Sequence, residues 1–265
     1  MKVARTVLRE PGAGNSPWAT RRHLKGGEVK NILVYSFTFF TLLLSSCALP
    51  VPNSQRIDDK PMYGQPEIPR PGYMQKIDEV FINEAISGFG GDRNEASIAW
   101  AAVAEDFFRK GNLHYAMRRY NQAWLLDPEN YLAYWGFGQV ALARDEFDSS
   151  IKYLEKAKKL INDTYQEPAL LSDTGSAYLY KAMSISVENS VEREKYFALA
   201  YENFEKSTKL DPNYPHSWKR WGYALYDEGK YLDAWEKINK AQSLGEQVSE
   251  KFLSHLSSKM PNPKK

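Results

Sequence analysis

The sequence predicts an all-α chain: about four helix pairs stacked as an α-solenoid, with an N-terminal helix before them and a C-terminal capping helix after. Three observations point there. A pattern of small and aromatic residues recurs with a period of about 34 residues, and such a fixed period marks a stacked repeat array. Matching small residues, Ala104, Gly138, Gly175 and Gly222, stand at the same place in each unit. Gly and Pro punctuate the pattern at Gly111, Pro128, Pro212, Pro215 and Gly229, where helices must end or begin.

Of the 265 residues, 43% are hydrophobic and 26% charged, so most of the chain can fold as a globule. Seven Trp, seventeen Tyr and twelve Phe supply large buried contacts. The formal charge of +2 conceals an asymmetry. The first 46 residues hold seven basic groups and two acidic ones, which leaves 28 basic against 31 acidic groups in the rest. A slightly acidic body argues against nucleic acid as the main partner, because phosphate binding needs a clustered basic surface.

Residues 1–28 are rich in Gly, Arg and Pro and show no periodicity; they read as an upstream extension from a mis-assigned gene start, with Val29 as the true first residue. Residues 29–46 read as a signal peptide. Lys30 precedes a mostly apolar run from Ile32 to Leu44, too short to span a bilayer and of the length of a signal-peptide core. The small Ser45 and Ser46 follow, and then Cys47, the sole cysteine, which excludes an internal disulfide and any multi-cysteine metal site. Leu44-Ser45-Ser46-Cys47 resembles the bacterial lipobox. That resemblance implies cleavage between Ser46 and Cys47 and a lipid on Cys47. The alternative for Cys47 is a buried free thiol after a short apolar helix. Several acyl chains are needed to hold a protein on a membrane, because one chain binds only marginally. Ala48 in place of Asp implies, by resemblance to enteric lipoproteins, export to the outer membrane, with the body facing the periplasm. Residues 47–74 contain six prolines and read as an extended, semi-rigid tether.

A helix is expected over 75–91, from the spacing of Ile77, Val80, Phe81, Ile82 and Ile86, ending at the glycines of 88–91. Asp92 and Glu95 resemble a capping box opening the repeat region, 92–246. The first unit is 97–130, with Trp100, Ala104, Phe107, Gly111, Ala116, Tyr120, Ala123 and Pro128. The second is 131–164, with Tyr134, Phe137, Gly138, Leu154 and Ala157. The fourth is 215–246, with Trp218, Trp221, Gly222, Gly229, Ala234, Ile238 and Ala241. The third, 168–214, is stretched by 13 residues near Ala182 to Glu194, with a turn at Glu188-Asn189-Ser190 and two lengthened helices. Small residues let helix backbones approach, rings fill the gaps, and Trp100 and Trp218 are expected to pack. A single pair cannot bury its apolar face, so stacking is required. In the tail, 247–265, Val248, Phe252, Leu253 and Leu256 space out as a capping helix.

These framework residues resemble the tetratricopeptide repeat (TPR) skeleton over 97 to about 245, and with the lipobox the chain is similar to bacterial TPR lipoproteins. The resemblance implies a right-handed α-solenoid and a protein-binding role, either as an adaptor for envelope enzymes or as a pilotin-like assembly factor for an outer-membrane secretin or pilus. It also implies which positions of each first helix line a concave groove. Among them are Glu105, Phe108 and Arg109; Trp135, Gln139 and Leu142; Tyr180; and Lys219, Tyr223 and Tyr226. Ala101 and Glu105 replace the Lys and Asn of the chaperone-binding carboxylate clamp, which argues against that ligand. Tyr and Trp anchors suit an amphipathic helix or an extended peptide of an envelope protein. The other homes for these rings are neighbouring helices or a terminal segment folded back, and the other docking surfaces are the convex face and the long third repeat. That repeat also offers apolar surface for a homodimer.

Catalysis finds little support. His23, His114, His216 and His255 are scattered without metal-ligand spacing, and His114 falls in an interhelical turn expected to face solvent. There is no phosphate loop and no Gly-x-Ser-x-Gly elbow. A peptidoglycan lyase would need a separate catalytic domain for which no stretch is long enough. No cofactor and no metal is expected.

Overall fold

The computed structural model describes residues 56–263, and all of the regular structure in them is helical. Ten α-helices follow two short 3-10 turns, Ile57–Asp59 and Pro61–Gly64. They are α1 (Gly72–Ser87), α2 (Arg93–Arg109), α3 (Leu113–Leu126), α4 (Tyr131–Ala143), α5 (Phe147–Leu160), α6 (Glu167–Ser184), α7 (Ser190–Leu210), α8 (Pro215–Asp227), α9 (Tyr231–Ser243) and α10 (Glu250–Lys259). The upstream extension, the signal peptide with its cleavage site at Ser46, Cys47 and the start of the tether lie outside the described residues. No helix among the described residues is long and apolar enough to cross a membrane. Two compact units divide within α4, at Gly136 and Phe137.

In the first unit, α2 and α3 form a hairpin. Asp92 caps α2 by accepting hydrogen bonds from the backbone N–H groups of Asn94 (2.8 Å) and Glu95 (3.0 Å), which satisfies donors a helix start otherwise leaves orphaned. Gly111 turns the chain with φ +74°, a left-handed conformation that suits glycine. Ala104, Ala116, Tyr120 and Ala123 are wholly buried between the helices, and Ser97 Oγ donates to the carbonyl of Ala123 at 2.6 Å. A side chain on Gly136 would overlap the ring of Tyr120. Helix α1 starts three residues before the expected boundary and places Phe81 edge-on to Trp100 at 5.5 Å. The Arg119 guanidinium lies over the Trp100 ring, 4.8 Å from its centroid.

The tether ends earlier than the composition suggested. Residues 57–64 do not extend freely but lie on α3. Asn121 Nδ2 donates to the carbonyls of Asp58 (3.0 Å) and Lys60 (2.9 Å), and Asn121 Oδ1 accepts from the Tyr63 N–H at 3.4 Å. Asp59 meets His114 at 2.7 Å and Asp58 meets Arg118 at 3.1 Å. His114 is therefore half-buried against Asp59, not turned to solvent. The cause is the amide of Asn121, which is fully buried and must find partners. Tyr63 is buried with it, and Arg70 covers the Tyr63 ring at 3.9 Å while its guanidinium forks onto Asp78 of α1 at 2.6 and 2.7 Å.

In the second unit, the small residues sit at helix crossings. A Cβ on Gly138 would stand 2.5 Å from Leu154, one on Gly175 2.7 Å from Phe204, and one on Gly222 2.7 Å from Ile238. Ser150, in place of the usual Ala, donates to the Gly138 carbonyl at 2.8 Å and so satisfies its buried hydroxyl. Helices α6 and α7 run 18 and 21 residues against 13 each for α8 and α9, and the chain turns between them at 185–189. Helix α6 packs on α5 and α7, and α8 packs on α6 and α7. Trp218 is only partly buried: it stacks on Trp221 at 6.0 Å and donates from its indole N–H to the Pro212 carbonyl at 2.9 Å. Helix α10 closes the unit, with Phe252 and Leu256 packed among Tyr223, Leu225, Trp235, Ile238 and Val248.

Candidate functional site

The first helix of each pair in the second unit contributes to one polar row. Asp173 on α6 accepts from Gln139 Nε2 of α4 at 3.1 Å through Oδ2, and pairs through Oδ1 with Arg220 Nη1 of α8. The same Nη1 donates to Ser172 Oγ at 3.0 Å. One carboxylate thus joins three successive first helices. Burial works against the Arg220 charge, but the Asp173 carboxylate outweighs it and holds the guanidinium above its ordinary value. Tyr214 lies beside this group, and burial pushes its phenol up against the opposing effect of Arg220. Tyr180 is half-buried and stacks on Phe147 with centroids 6.2 Å apart.

The row continues along α8. Its His216 Nδ1 meets Glu246 Oε2 at 2.9 Å, and Lys219 pairs with Glu246 Oε1. Burial raises the Glu246 carboxyl, yet hydrogen bonds from His216 and Lys219, with their charges, overcome it and hold it at about 2. Glu246 leads out of α9 towards α10, so the pair clips the end of the chain onto α8.

The expected groove residues separate into three groups. Glu105, Trp135 and Tyr223 are buried at 4%, 2% and 7% exposure, and this corrects their assignment as contact residues. Glu105 faces inward because it accepts the Tyr120 hydroxyl at 3.0 Å. Trp135 is among the largest fully packed side chains. Tyr223 is covered by Phe252 of α10, with centroids 4.3 Å apart, and Tyr226 meets the same ring at 5.1 Å. Lys219 is held by Glu246, and Arg109 is exposed and pairs with Asp106 at 3.2 Å. Phe108, Gln139, Leu142 and Tyr180 remain half-exposed. Phe108 and Arg109 belong to the first unit; Gln139, Leu142, Tyr180, Lys219 and Tyr226 belong to the second.

Sequence reading passed over Asp173, Tyr214, Arg220 and Glu246. Arg220 follows directly after an expected groove position, Lys219, and Asp173 holds the equivalent place on α6; opposite charges at equivalent places of successive first helices were the available signal.

No known family profile matches the chain. A curated relative, a TPR repeat-containing protein of Methanocaldococcus jannaschii, is 25% identical over 161 residues, which is 61% of this chain. The chain spans about a quarter, 26%, of that relative's length. Among solved structures, one determined for the functional characterization of Pseudomonas aeruginosa pilF covers 72% of this chain and 87% of its own, with TM-score 0.48 and 19% identity. MamA covers 67% of this chain and 96% of its own, with TM-score 0.42 and 19% identity. The described helix pairs, their glycine crossings and the likeness to a TPR repeat-containing relative give the chain the fold of a tetratricopeptide-repeat α-solenoid.

Proposed function

We propose that this chain is a lipid-anchored adaptor on the periplasmic face of a bacterial outer membrane, and that the first-helix face of its second unit holds a peptide or helix of an envelope protein. The observation that carries the binding reading is the Asp173 bridge. It fixes Gln139 and Arg220 in place, so little side-chain entropy is lost when a ligand arrives. Both hydrogen bonds of Arg220 leave from Nη1, and among the described residues Nη2 and Nε make none. A planar guanidinium with donors to spare suits a peptide carbonyl or carboxylate. The half-exposed Tyr180 and Leu142 add apolar contact beside it, and Tyr and Arg are the residues on which interfaces most often depend. The anchor reading is supported by the Leu44-Ser45-Ser46-Cys47 string.

The test is capture in living cells. A photo-crosslinking amino acid at Tyr180 should trap an envelope protein that the same group at Val191, exposed on α7, does not trap. The double variant Tyr180→Ala, Arg220→Ala should lower recovery of that protein by roughly 30-fold, the equivalent of about 2 kcal/mol. Equal capture from both positions, with the melting curve unchanged, would sink the proposed face. The captured protein also separates the roles: a peptidoglycan hydrolase identifies an adaptor, and a secretin or pilus subunit an assembly factor.

A further inference from the structure

Helix α1 has two apolar faces. The inner one carries Met74, Phe81, Ile82 and Ala85, half-buried towards the hairpin. The outer one carries Tyr73, Ile77 and Val80 at 65%, 57% and 57% exposure. Their spacing of four and three residues places them in one stripe on a helix of 3.6 residues per turn. Among the described residues nothing covers this stripe, and three large apolar side chains in a row need a reason to stay in water.

The docked N-terminal segment supplies an occupant. Because residues 57–64 are fastened to α3, the tether shrinks from the expected 47–74 to the few residues between Cys47 and Arg56. Nine peptide steps reach at most about 30 Å when fully extended. Tyr63, Arg70 and Asp78 then join the docked segment directly to α1. A helix of 16 residues is about 24 Å long, so its stripe is within reach of the surface that holds the anchor.

We infer that the Tyr73–Ile77–Val80 face of α1 rests in the interfacial layer of the bilayer that carries the Cys47 lipid. This rests on the anchor reading made above. Tyr73 suits the interface, with its ring in the acyl boundary and its hydroxyl among headgroups, while Ile77 and Val80 bury apolar area. Lys76, Glu79 and Glu84 flank the stripe, so the contact is hydrophobic and not an attraction to anionic lipid.

The experiment uses the full lipidated chain in phosphatidylethanolamine and phosphatidylglycerol vesicles, with an environment-sensitive fluorophore on Ile77→Cys and, as control, on Val191→Cys. Intact-mass measurement first establishes the lipid on Cys47. The expected result is a blue-shifted emission at position 77, quenched by spin-labelled lipid, with neither change at position 191. An unshifted, unquenched signal at 77 in protein that carries the lipid and floats with the vesicles overturns the inference and leaves the anchor standing. A shift at 77 that lipid does not quench assigns the stripe to a second copy or another protein, and also overturns it. Absence of the lipid mass removes the anchor reading and this inference together.

Discussion

Gly138 faces Leu154 so closely that a methyl group in its place would stand 2.5 Å from Leu154 Cγ and 3.2 Å from the Ser150 carbonyl oxygen. Gly222 repeats the arrangement, 2.7 Å from Ile238 Cγ1 and 3.2 Å from the Ala234 carbonyl oxygen. In each case one obstacle is a side chain that can shift and the other is backbone that resists. Alanine would add about 1 kcal/mol of helix propensity. Overpacking of a filled crossing costs about 1–3 kcal/mol and should win. Gly138→Ala and Gly222→Ala are therefore expected to lower the urea unfolding midpoint. Gly72→Ala, with nothing within 4 Å, is expected to leave it unchanged or raise it slightly.

Helix α10 is held chiefly by Phe252, which touches both Tyr223 and Tyr226, and by Leu256 in the same cluster. Truncating a buried Phe to Ala removes about 3–5 kcal/mol. Phe252→Ala should strip hydrogen-exchange protection from 250–259 and expose Tyr223, while protection in α2 and α3 stays as it was. Unchanged protection over α10 would mean that the Trp235 N–H to Met260 carbonyl bond (2.8 Å) and its neighbours suffice without the ring.

The parts of this fold that could be read in advance are those written at short, regular spacing. Gly138 and Leu154, like Gly222 and Ile238, are 16 positions apart in two units of ordinary length, and the period exposes them. The stretched third unit was legible as well, because Gly175 and Phe204 keep their roles and only the distance between them grows. What escaped were side-chain partners that the repeat skeleton does not name. Asn121 reaches back 61 positions to Lys60, outside the repeats altogether, and leaves no local pattern. Asp173 and Arg220 hold equivalent places on successive first helices, but the skeleton leaves those places open to any residue type. The groove positions fared unevenly for a related reason. A repeat skeleton tells which way Tyr223 points, but not that Phe252 will lie on it.

Asn121 should behave as a latch for the N-terminal segment. Its side chain makes three hydrogen bonds to backbone of 58–63, all out of water's reach on the Asn121 side. Replacing it by Ala leaves the Asp58 and Lys60 carbonyls without their donor, worth about 1–3 kcal/mol. The expected result for Asn121→Ala is faster tryptic cleavage after Arg56, with the main unfolding transition shifted far less. Equal cleavage rates in the variant and the parent would show that Tyr63 burial, the Asp58–Arg118 ion pair and the Asp59–His114 contact hold the segment by themselves.

Glu246 makes stability depend on acid. Its folded-state value of about 2 lies below the ordinary Glu value of about 4.3, because His216 and Lys219 outweigh the effect of burial. Between those values the unfolded chain binds the proton more readily than the folded one, so stability falls as pH drops. The contribution is complete above about pH 5 and is lost as pH descends through about 2. Solvent still reaches one edge of the pair, so the pH-dependent part is discounted to on the order of 1–2 kcal/mol. Glu246→Gln should be less stable than the parent by that order at pH 7, and its unfolding midpoint should change less between pH 5 and pH 3. A parent and variant whose midpoints fall in parallel over that interval would show that the titrating carboxylate lies elsewhere.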